Sequence, residues 1–164
     1  MRFDRLLAKS SDNQRYPQPS ETLPGHLGEV ARAAAELVAI RGDSVLRAHG
    51  FLSERWEANL RSAVLRGALL HDIGKANDHF QVMVRGQRAV PQSLRHETVG
   101  LVMLADNPAL DEWFFKGVPE CVRMSVIRSM IGHHLKFEPA RSLQPTPSVT
   151  PPRSPTTPPG GKRR

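Results

Sequence analysis

The residues most suited to chemistry are the adjacent pair His71-Asp72, which lies inside the segment LLHDIGK. Neutral imidazole binds transition metals, and a carboxylate between two cations can bridge them. Adjacent residues on a helix diverge by only about 100° around its axis, so both side chains can point into one site. Further histidines flank the pair: His26, His96 and the doublet His133-His134. Together these side chains predict a two-metal site bridged by Asp72.

The segments that would position these side chains have helical periodicity. A first helix is predicted to begin near Pro24, a residue favoured in the first turn, which places His26 in that turn. A second helix is predicted over residues 56–73, with His71 and Asp72 in its final turn and Gly74 as its stop. The apolar face of the first helix consists of Leu27, Val30, Ala34, Leu37 and Val38.

Three more helices are predicted downstream. The third covers residues 77–84, and the fourth begins after Pro91, with Ser93 as its cap and His96 on its apolar side. The fifth covers residues 119–134. It carries an apolar stripe at helical spacing, formed by Val122, Val126, Met130 and His133. No alternating pattern typical of strands competes, so we predict an all-α protein.

Each histidine taken alone has a simpler interpretation. A histidine on an apolar helix face is more often a hydrogen-bonded core residue than a metal ligand. The joint pattern favours a metal site, because the four histidine positions fall at a helix end or on the apolar face of different predicted helices. His49 and His79 do not share this placement, and we interpret them as surface or loop histidines.

Length and composition indicate a single globular domain. The chain has 164 residues, of which 39% are hydrophobic and 24% charged. Its longest apolar stretch contains Arg32 and Glu36 and is well short of the roughly 20 residues needed to span a bilayer. The N-terminus lacks the apolar core of a signal peptide. We therefore expect a cytoplasmic protein without a membrane partner.

The single cysteine, Cys121, excludes an internal disulfide and fits a reducing compartment. It lies beside the apolar stripe of the fifth helix. A buried structural cysteine is therefore the favoured interpretation, ahead of a catalytic thiol.

Residues 139–164 differ in composition from the rest of the chain. They contain eight prolines. They also contain five basic residues and no acidic one, so they carry +5 of the chain's net charge of +7. Such a segment cannot bury enough apolar surface to offset its ordering entropy. We predict one domain over residues 1–138 and a disordered basic tail over residues 139–164.

Four motifs occur in a fixed order: GHLGEV, LLHDIGK followed by FQ, RHE, and GHH. This order resembles the HD superfamily of metal-dependent phosphohydrolases, and more narrowly the CRISPR-associated HD nuclease of the type I interference helicase-nuclease. The opening LLAKS and the later ETLPGH are also similar to that family. The resemblance covers roughly residues 3–137 and implies an HD-domain helical bundle. The narrower match depends on Lys75 with Phe80-Gln81, Arg95-His96-Glu97 and Gly132-His133-His134.

The resemblance also implies a ligand set and a function. One metal would be held by His26, His71 and Asp72, and Asp72 would bridge to a second held by His96, His133 and His134. Asp72 and Lys75 would be the catalytic residues. The cofactors would be two divalent ions, with Mn, Co, Ni or Fe favoured and Mg possible. The implied substrate is single-stranded DNA, and the implied partners are a helicase subunit and the CRISPR interference complex.

The chain departs from the family pattern towards its end. Family members carry a further aspartate that completes the first metal site, whereas this sequence has no aspartate after Asp111 and no acidic residue after Glu138. We therefore expect a C-terminally truncated nuclease domain whose activity can be impaired. The sequence also lacks the GxxxxGK[ST] loop, so unwinding would require another polypeptide.

Two alternative functions stay open. An HD phosphohydrolase acting on nucleotides would use the same chemistry on a small substrate. A non-catalytic fragment or interaction module would instead use the helices to bind a partner.

Overall fold

The structure, a computed structural model, describes residues 6–13, 15–86 and 94–134. These residues form six α-helices and two short 3₁₀ helices, and no β-strand occurs among them. The all-α prediction is therefore confirmed. The α-helices are α1 (Leu23–Ala48), α2 (Ser53–Leu70), α3 (Asp78–Val84), α4 (His96–Ala105), α5 (Pro108–Phe115) and α6 (Glu120–Gly132), and the 3₁₀ helices are Pro19–Glu21 and Ile73–Ala76.

α1 is the longest helix and packs mainly along α2. Thr22 caps it by accepting a hydrogen bond from the backbone N–H of Gly25, and Pro24 lies in its first turn, as predicted. Leu37 was expected on the buried face, but it is 61% exposed. That part of the prediction is wrong, because α2 covers only one stripe of α1.

The main hydrophobic core lies where α2, α4, α5 and α6 meet. Fully burying a Leu, Val, Met or Phe side chain contributes about 1.5–3 kcal/mol, so the contacts between these helices carry much of the stability. The apolar stripe predicted for the last helix is confirmed, since Val122, Val126 and Met130 are buried. The core cluster consists of Leu70, Leu104, Phe114, Phe115, Val126 and Met130.

The N-terminal segment is fastened to the middle of the chain by Gln81. The Gln81 side-chain amide accepts from the Leu7 backbone N–H and donates to the Leu7 carbonyl, both at 2.9 Å. It also donates to the Lys75 carbonyl at 2.8 Å. The glutamine is 1% exposed, so this polar cluster is part of the interior. It fixes the turn that follows the HD pair.

Several helix boundaries and one helix differ from the sequence prediction. α2 begins at Ser53 and ends at Leu70, so His71 and Asp72 lie just beyond it instead of in its final turn. α5 was not predicted, because a helix of eight residues shows little periodicity. Its start does carry a local signal: the Asn107 side chain accepts from the backbone N–H of Leu110, and Pro108 follows it.

The fourth helix begins later than predicted. Arg95 has an extended backbone and is the N-cap of α4, which starts at His96, so the predicted start after Pro91 with Ser93 as cap is wrong. The tail over residues 139–164 lies outside the described residues. The domain boundary at residue 138 therefore stays a prediction. In the part of the chain that the structure describes, no helix has the length and apolar character to cross a bilayer.

A groove of about 760 Å³ runs between α1, α2 and α6 and reaches His71 and His133 at one end. Cys121 lies in this groove and is exposed, so its predicted burial is wrong. The reason is the rotation of α6. Val122 and Val126 face the core, and Cys121 and Ser125 therefore face the groove.

Candidate metal centre

The HD pair occupies the sharp turn between α2 and the 3₁₀ helix Ile73–Ala76. His71 is the C-cap residue of α2, its backbone N–H donates to the Gly67 carbonyl at 2.9 Å, and Asp72 begins the next turn. Asp72 is 3% exposed. A carboxylate this deeply buried requires partners that compensate its charge.

The start of α4 lies directly against this turn because Gly74 has no side chain. A Cβ on Gly74 would lie 1.8 Å from the His96 carbonyl oxygen and 2.5 Å from the Gly100 backbone nitrogen. We predicted Gly74 as a helix stop, but its φ is not positive and its role is this close approach. The glycine brings His96 to Asp72.

One oxygen of Asp72 faces the first set of predicted ligands. Oδ2 lies 3.2 Å from His26 Nε2 and 3.2 Å from His71 Nε2. The ring centroids of the two histidines are 5.4 Å apart. The structure therefore brings α1 and the HD turn together, as the first predicted metal site requires.

The other oxygen of Asp72 faces the second set. Oδ1 lies 2.9 Å from His96 Nε2 and 3.5 Å from His133 Nε2. The His134 ring lies beside both of these histidines, with centroid distances of 5.0 Å to His96 and 4.2 Å to His133. In each set, candidate ligand atoms, one from each residue, lie within 4.8 Å of one another.

A second observation, besides the distances between the candidate ligand atoms, indicates that these residues fit a bound cation. Asp72 Oδ1 and His96 Nε2 are buried and lie 2.9 Å apart, yet neither makes a hydrogen bond within the described residues. Buried polar atoms without partners are costly and rare in native proteins. A cation between a carboxylate oxygen and an imidazole nitrogen would satisfy both. The donor set therefore suits a divalent metal.

Backbone carbonyls orient two of the histidine rings. His71 Nδ1 lies 2.8 Å from the Ala68 carbonyl, and His133 Nδ1 lies 2.7 Å from the Met130 carbonyl, each three residues earlier. In the neutral ring the proton then lies on Nδ1, where it is donated to the carbonyl, and Nε2 keeps its lone pair. The helix ends therefore present Nε2 of both rings as the metal-binding atom.

The charge state of the site follows from burial and from these contacts. Burial disfavours the charged form of Asp72, but hydrogen bonds and charge from His71 and Lys75 outweigh it and hold the pKa of Asp72 far below its usual range. Burial also opposes the charged form of His71, yet hydrogen bonds to Asp72 and Ala68 raise the pKa of His71. Burial lowers the pKa of His96 and favours the neutral imidazole that binds metals.

Lys75 lies against the same carboxylate. Its Nζ is 2.6 Å from Asp72 Oδ2, its side chain is 15% exposed, and it lies over the Phe80 ring. A freely solvated lysine would make none of these contacts. Lys75 therefore supplies positive charge to the site.

All six predicted ligands and Lys75 converge on one position, whereas His49 is exposed at the end of α1 and His79 lies on α3 outside both ligand sets. The ligand and catalytic roles stay predictions.

Glu97 lies next to His96 in the motif Arg95-His96-Glu97, and the sequence predicts no role for it. Glu97 is 4% exposed, and its carboxylate accepts from Arg95 Nε at 3.0 Å. Burial disfavours its charge, but the Arg95 contact holds the pKa of Glu97 below its usual value.

Comparison with known proteins gives two matches. The family model described as "Cas3, HD domain" matches residues 7–156. A protein of Myxococcus xanthus (strain DK1622), named as a CRISPR-associated nuclease/helicase Cas3, is 40% identical over 134 residues, which are 82% of this chain and 18% of that protein. The chain thus spans less than a fifth of the length of this relative. No solved structure matches the chain significantly.

Proposed function

The chain belongs to the family of CRISPR-associated Cas3 HD domains, and from this membership we propose that it is a divalent-metal-dependent nuclease that cleaves single-stranded DNA. The single observation that supports metal dependence most strongly is the division of Asp72 between two histidine sets. Oδ2 faces His26 and His71, whereas Oδ1 faces His96 and His133. A bridging carboxylate of this kind suits a pair of cations.

The residues of this chain would divide the work. Two divalent ions at these sets would lower the pKa of a bound water and neutralise charge on a phosphodiester. Asp72 stays an anion in the neutral range and holds both sets together. Lys75 lies on the Oδ2 side, where its charge can stabilise developing negative charge on phosphate oxygens.

The donor set favours particular metals. Five imidazoles and one carboxylate suit Mn, Co, Ni or Fe, whereas Mg prefers an all-oxygen shell. We therefore expect Mn²⁺ or Co²⁺ to support cleavage better than Mg²⁺.

The partners are proposed on the same basis. The Myxococcus relative carries helicase in its name, and this chain covers 18% of it. We propose that a helicase supplies single-stranded DNA to this domain, within a cytoplasmic CRISPR interference complex.

The test is cleavage of circular single-stranded DNA by the purified chain with Mn²⁺, Co²⁺ or Mg²⁺, compared with Asp72→Asn. We expect metal-stimulated cleavage that falls at least about 100-fold in the variant, because asparagine cannot bridge two cations. Asp106→Asn, at an exposed aspartate after α4, is the matched control and should cleave normally. Circular DNA tests internal cutting, since it has no ends.

Two results would contradict the proposal. Absence of cleavage with every metal, in a chain that is folded and binds metal, would reject the nuclease activity. Release of phosphate from nucleotides without DNA cleavage would favour a nucleotide phosphohydrolase instead.

A further inference from the structure

His96 differs from the other oriented histidines in its position on its helix. His71 and His133 follow complete helices, so each Nδ1 meets a carbonyl of the preceding turn. His96 is the first residue of α4, and no earlier turn of that helix exists to provide such a carbonyl. Another group must orient its ring.

Glu97 is placed to do so. Its Oε2 lies 3.5 Å from His96 Nδ1, on the side of the ring away from Asp72, whose Oδ1 is 2.9 Å from His96 Nε2. The Glu97 side chain is 5% exposed, and Oε2 has no hydrogen-bond partner among the residues that the structure describes. A buried carboxylate oxygen beside a ring nitrogen is a ready acceptor for its proton.

Arg95 fixes which carboxylate oxygen of Glu97 faces the His96 ring. Its guanidinium binds Oε1 of Glu97, which leaves Oε2 as the oxygen that faces the histidine. Helix N-termini also favour acidic residues, so a purely structural role for Glu97 has to be separated from a role at the metal. The orientation of Oε2 towards Nδ1 is the feature that a structural role does not need.

We propose that Glu97 is a positioning residue of the metal centre: it accepts the Nδ1 proton of His96 and thereby presents Nε2 of that ring to the metal beside Asp72. Metal-bound histidines commonly donate their other ring N–H to a carboxylate or a carbonyl, which fixes the tautomer and raises ligand basicity. In this chain α2 and α6 supply carbonyls for that purpose, and the start of α4 supplies a carboxylate. The inference rests on the metal site of the proposed function and adds an outer contact to it.

The first measurement needs no metal. Long-range ¹H–¹⁵N spectra of the histidine rings report which nitrogen carries the proton in the full chain. We expect the His96 proton on Nδ1 in the wild type, and a loss of this preference in Glu97→Ala. In Glu97→Gln the amide oxygen still accepts a hydrogen bond, so the preference should be largely retained.

The second measurement is Co²⁺ affinity, followed by titration calorimetry and by the visible spectrum of the bound ion. Glu97→Ala should weaken Co²⁺ binding by about 10–100-fold, and Glu97→Gln by less than about 10-fold. Asp111→Ala is the control, because Asp111 is also a carboxylate paired with an arginine, Arg123, and its side chain is 27% exposed. Arg123 lies ten residues before His133 along α6, which is about 15 Å.

Circular dichroism of each variant shows that it is folded. The proposal is overturned if the His96 ring state is the same in wild type and Glu97→Ala, or if folded Glu97→Ala binds Co²⁺ as tightly as wild type. Neither readout depends on turnover. A wild type that binds Co²⁺ but cleaves no DNA would count against the nuclease activity alone.

Discussion

At the scale of single residues, Asp72 carries the site. It is nearly inaccessible to solvent, yet the chain surrounds it with four histidine nitrogens and the Lys75 ammonium within 3.5 Å. Hydrogen bonds and charge from His71 and Lys75 outweigh its burial and keep it ionised. Each histidine set can therefore be removed separately while Asp72 stays in place.

Removal of one set should cost one metal ion. His26→Ala should weaken binding of the ion held with His71 by about 10-fold or more. His134→Ala should weaken binding of the ion held with His96 and His133 by a similar factor. Titration of the chain with Mn²⁺ should show two equivalents in the wild type and one tight equivalent in each variant. His49→Ala, at an exposed histidine, is the control. Loss of both equivalents in His26→Ala would contradict two separable sets.

Lys75 is expected to contribute both to the stability of the metal-free chain and to DNA cleavage. Lys75→Met removes a cation from a buried carboxylate and should lower the free energy of unfolding of the metal-free chain by about 1–3 kcal/mol. Saturating Mn²⁺ should narrow this difference, because the ion compensates Asp72 instead, while DNA cleavage stays reduced.

Chemical denaturation with and without Mn²⁺ measures this effect. Lys116→Met is the control, since the Lys116–Glu112 pair is exposed and its loss should change stability by less than about 1 kcal/mol. A variant that loses Mn²⁺ affinity in proportion to its cleavage would show that Lys75 shapes the site and has no separate effect on the phosphate.

At the scale of elements, the approach of α4 to the HD turn decides the geometry. Gly74 and Gly100 face each other across this contact, and the Met130 methyl lies 3.4 Å from the position of a Cβ on Gly100. His96 joins the second ligand set only if the first turn of α4 stays in contact with Gly74. Gln81 supports the arrangement from the other side by binding the Lys75 carbonyl.

Gly74→Ala should therefore disrupt the site. Its Cβ would collide with backbone atoms of α4, which cannot move as a side chain can, so we expect a loss of more than about 2 kcal/mol in unfolding free energy and weak Mn²⁺ binding. Gly28→Ala is the matched control. A Cβ at Gly28 meets nothing within 4 Å, and alanine in a helix is favoured over glycine by about 1 kcal/mol. Thermal unfolding of both variants compares them directly, and equal melting temperatures would contradict the role given to Gly74.

At the scale of the whole molecule, the candidate ligands join distant parts of the chain. His26 comes from α1, His71 and Asp72 from the HD turn, His96 from the start of α4, and His133-His134 from the end of α6. A metal that binds only the folded arrangement stabilises all of these elements together.

Metal should consequently raise the stability of the entire bundle. At free Mn²⁺ about 100-fold above its Kd, one site adds about 2.7 kcal/mol. Calorimetry should show a higher Tm with Mn²⁺ and reversal by a chelator. Asp72→Asn should show little of this shift, and an equal shift in that variant would place the stabilising ion elsewhere.

The sequence by itself determined the helical class, the candidate ligands and the buried stripe of α6. The helical class and the stripe follow from local spacing, which a helix converts directly into a common face, whereas the candidate ligand set follows from the order of the motifs and the family that they resemble. The exposure of Cys121 and Leu37 could not be predicted in this way, because burial depends on which neighbours cover a face. α5 escaped prediction because it is too short to show a period.

The tertiary structure alone decided how the candidate ligands are arranged around Asp72. Local spacing placed His71 beside Asp72, but only the packing of α4 against Gly74 set His96 Nε2 beside Asp72 Oδ1 and left both atoms without a hydrogen-bond partner in the part of the chain that the structure describes. The same packing buried Glu97 against the far side of the His96 ring. Contacts between segments distant along the chain depend on how whole helices dock, and a pattern within one segment carries no record of them.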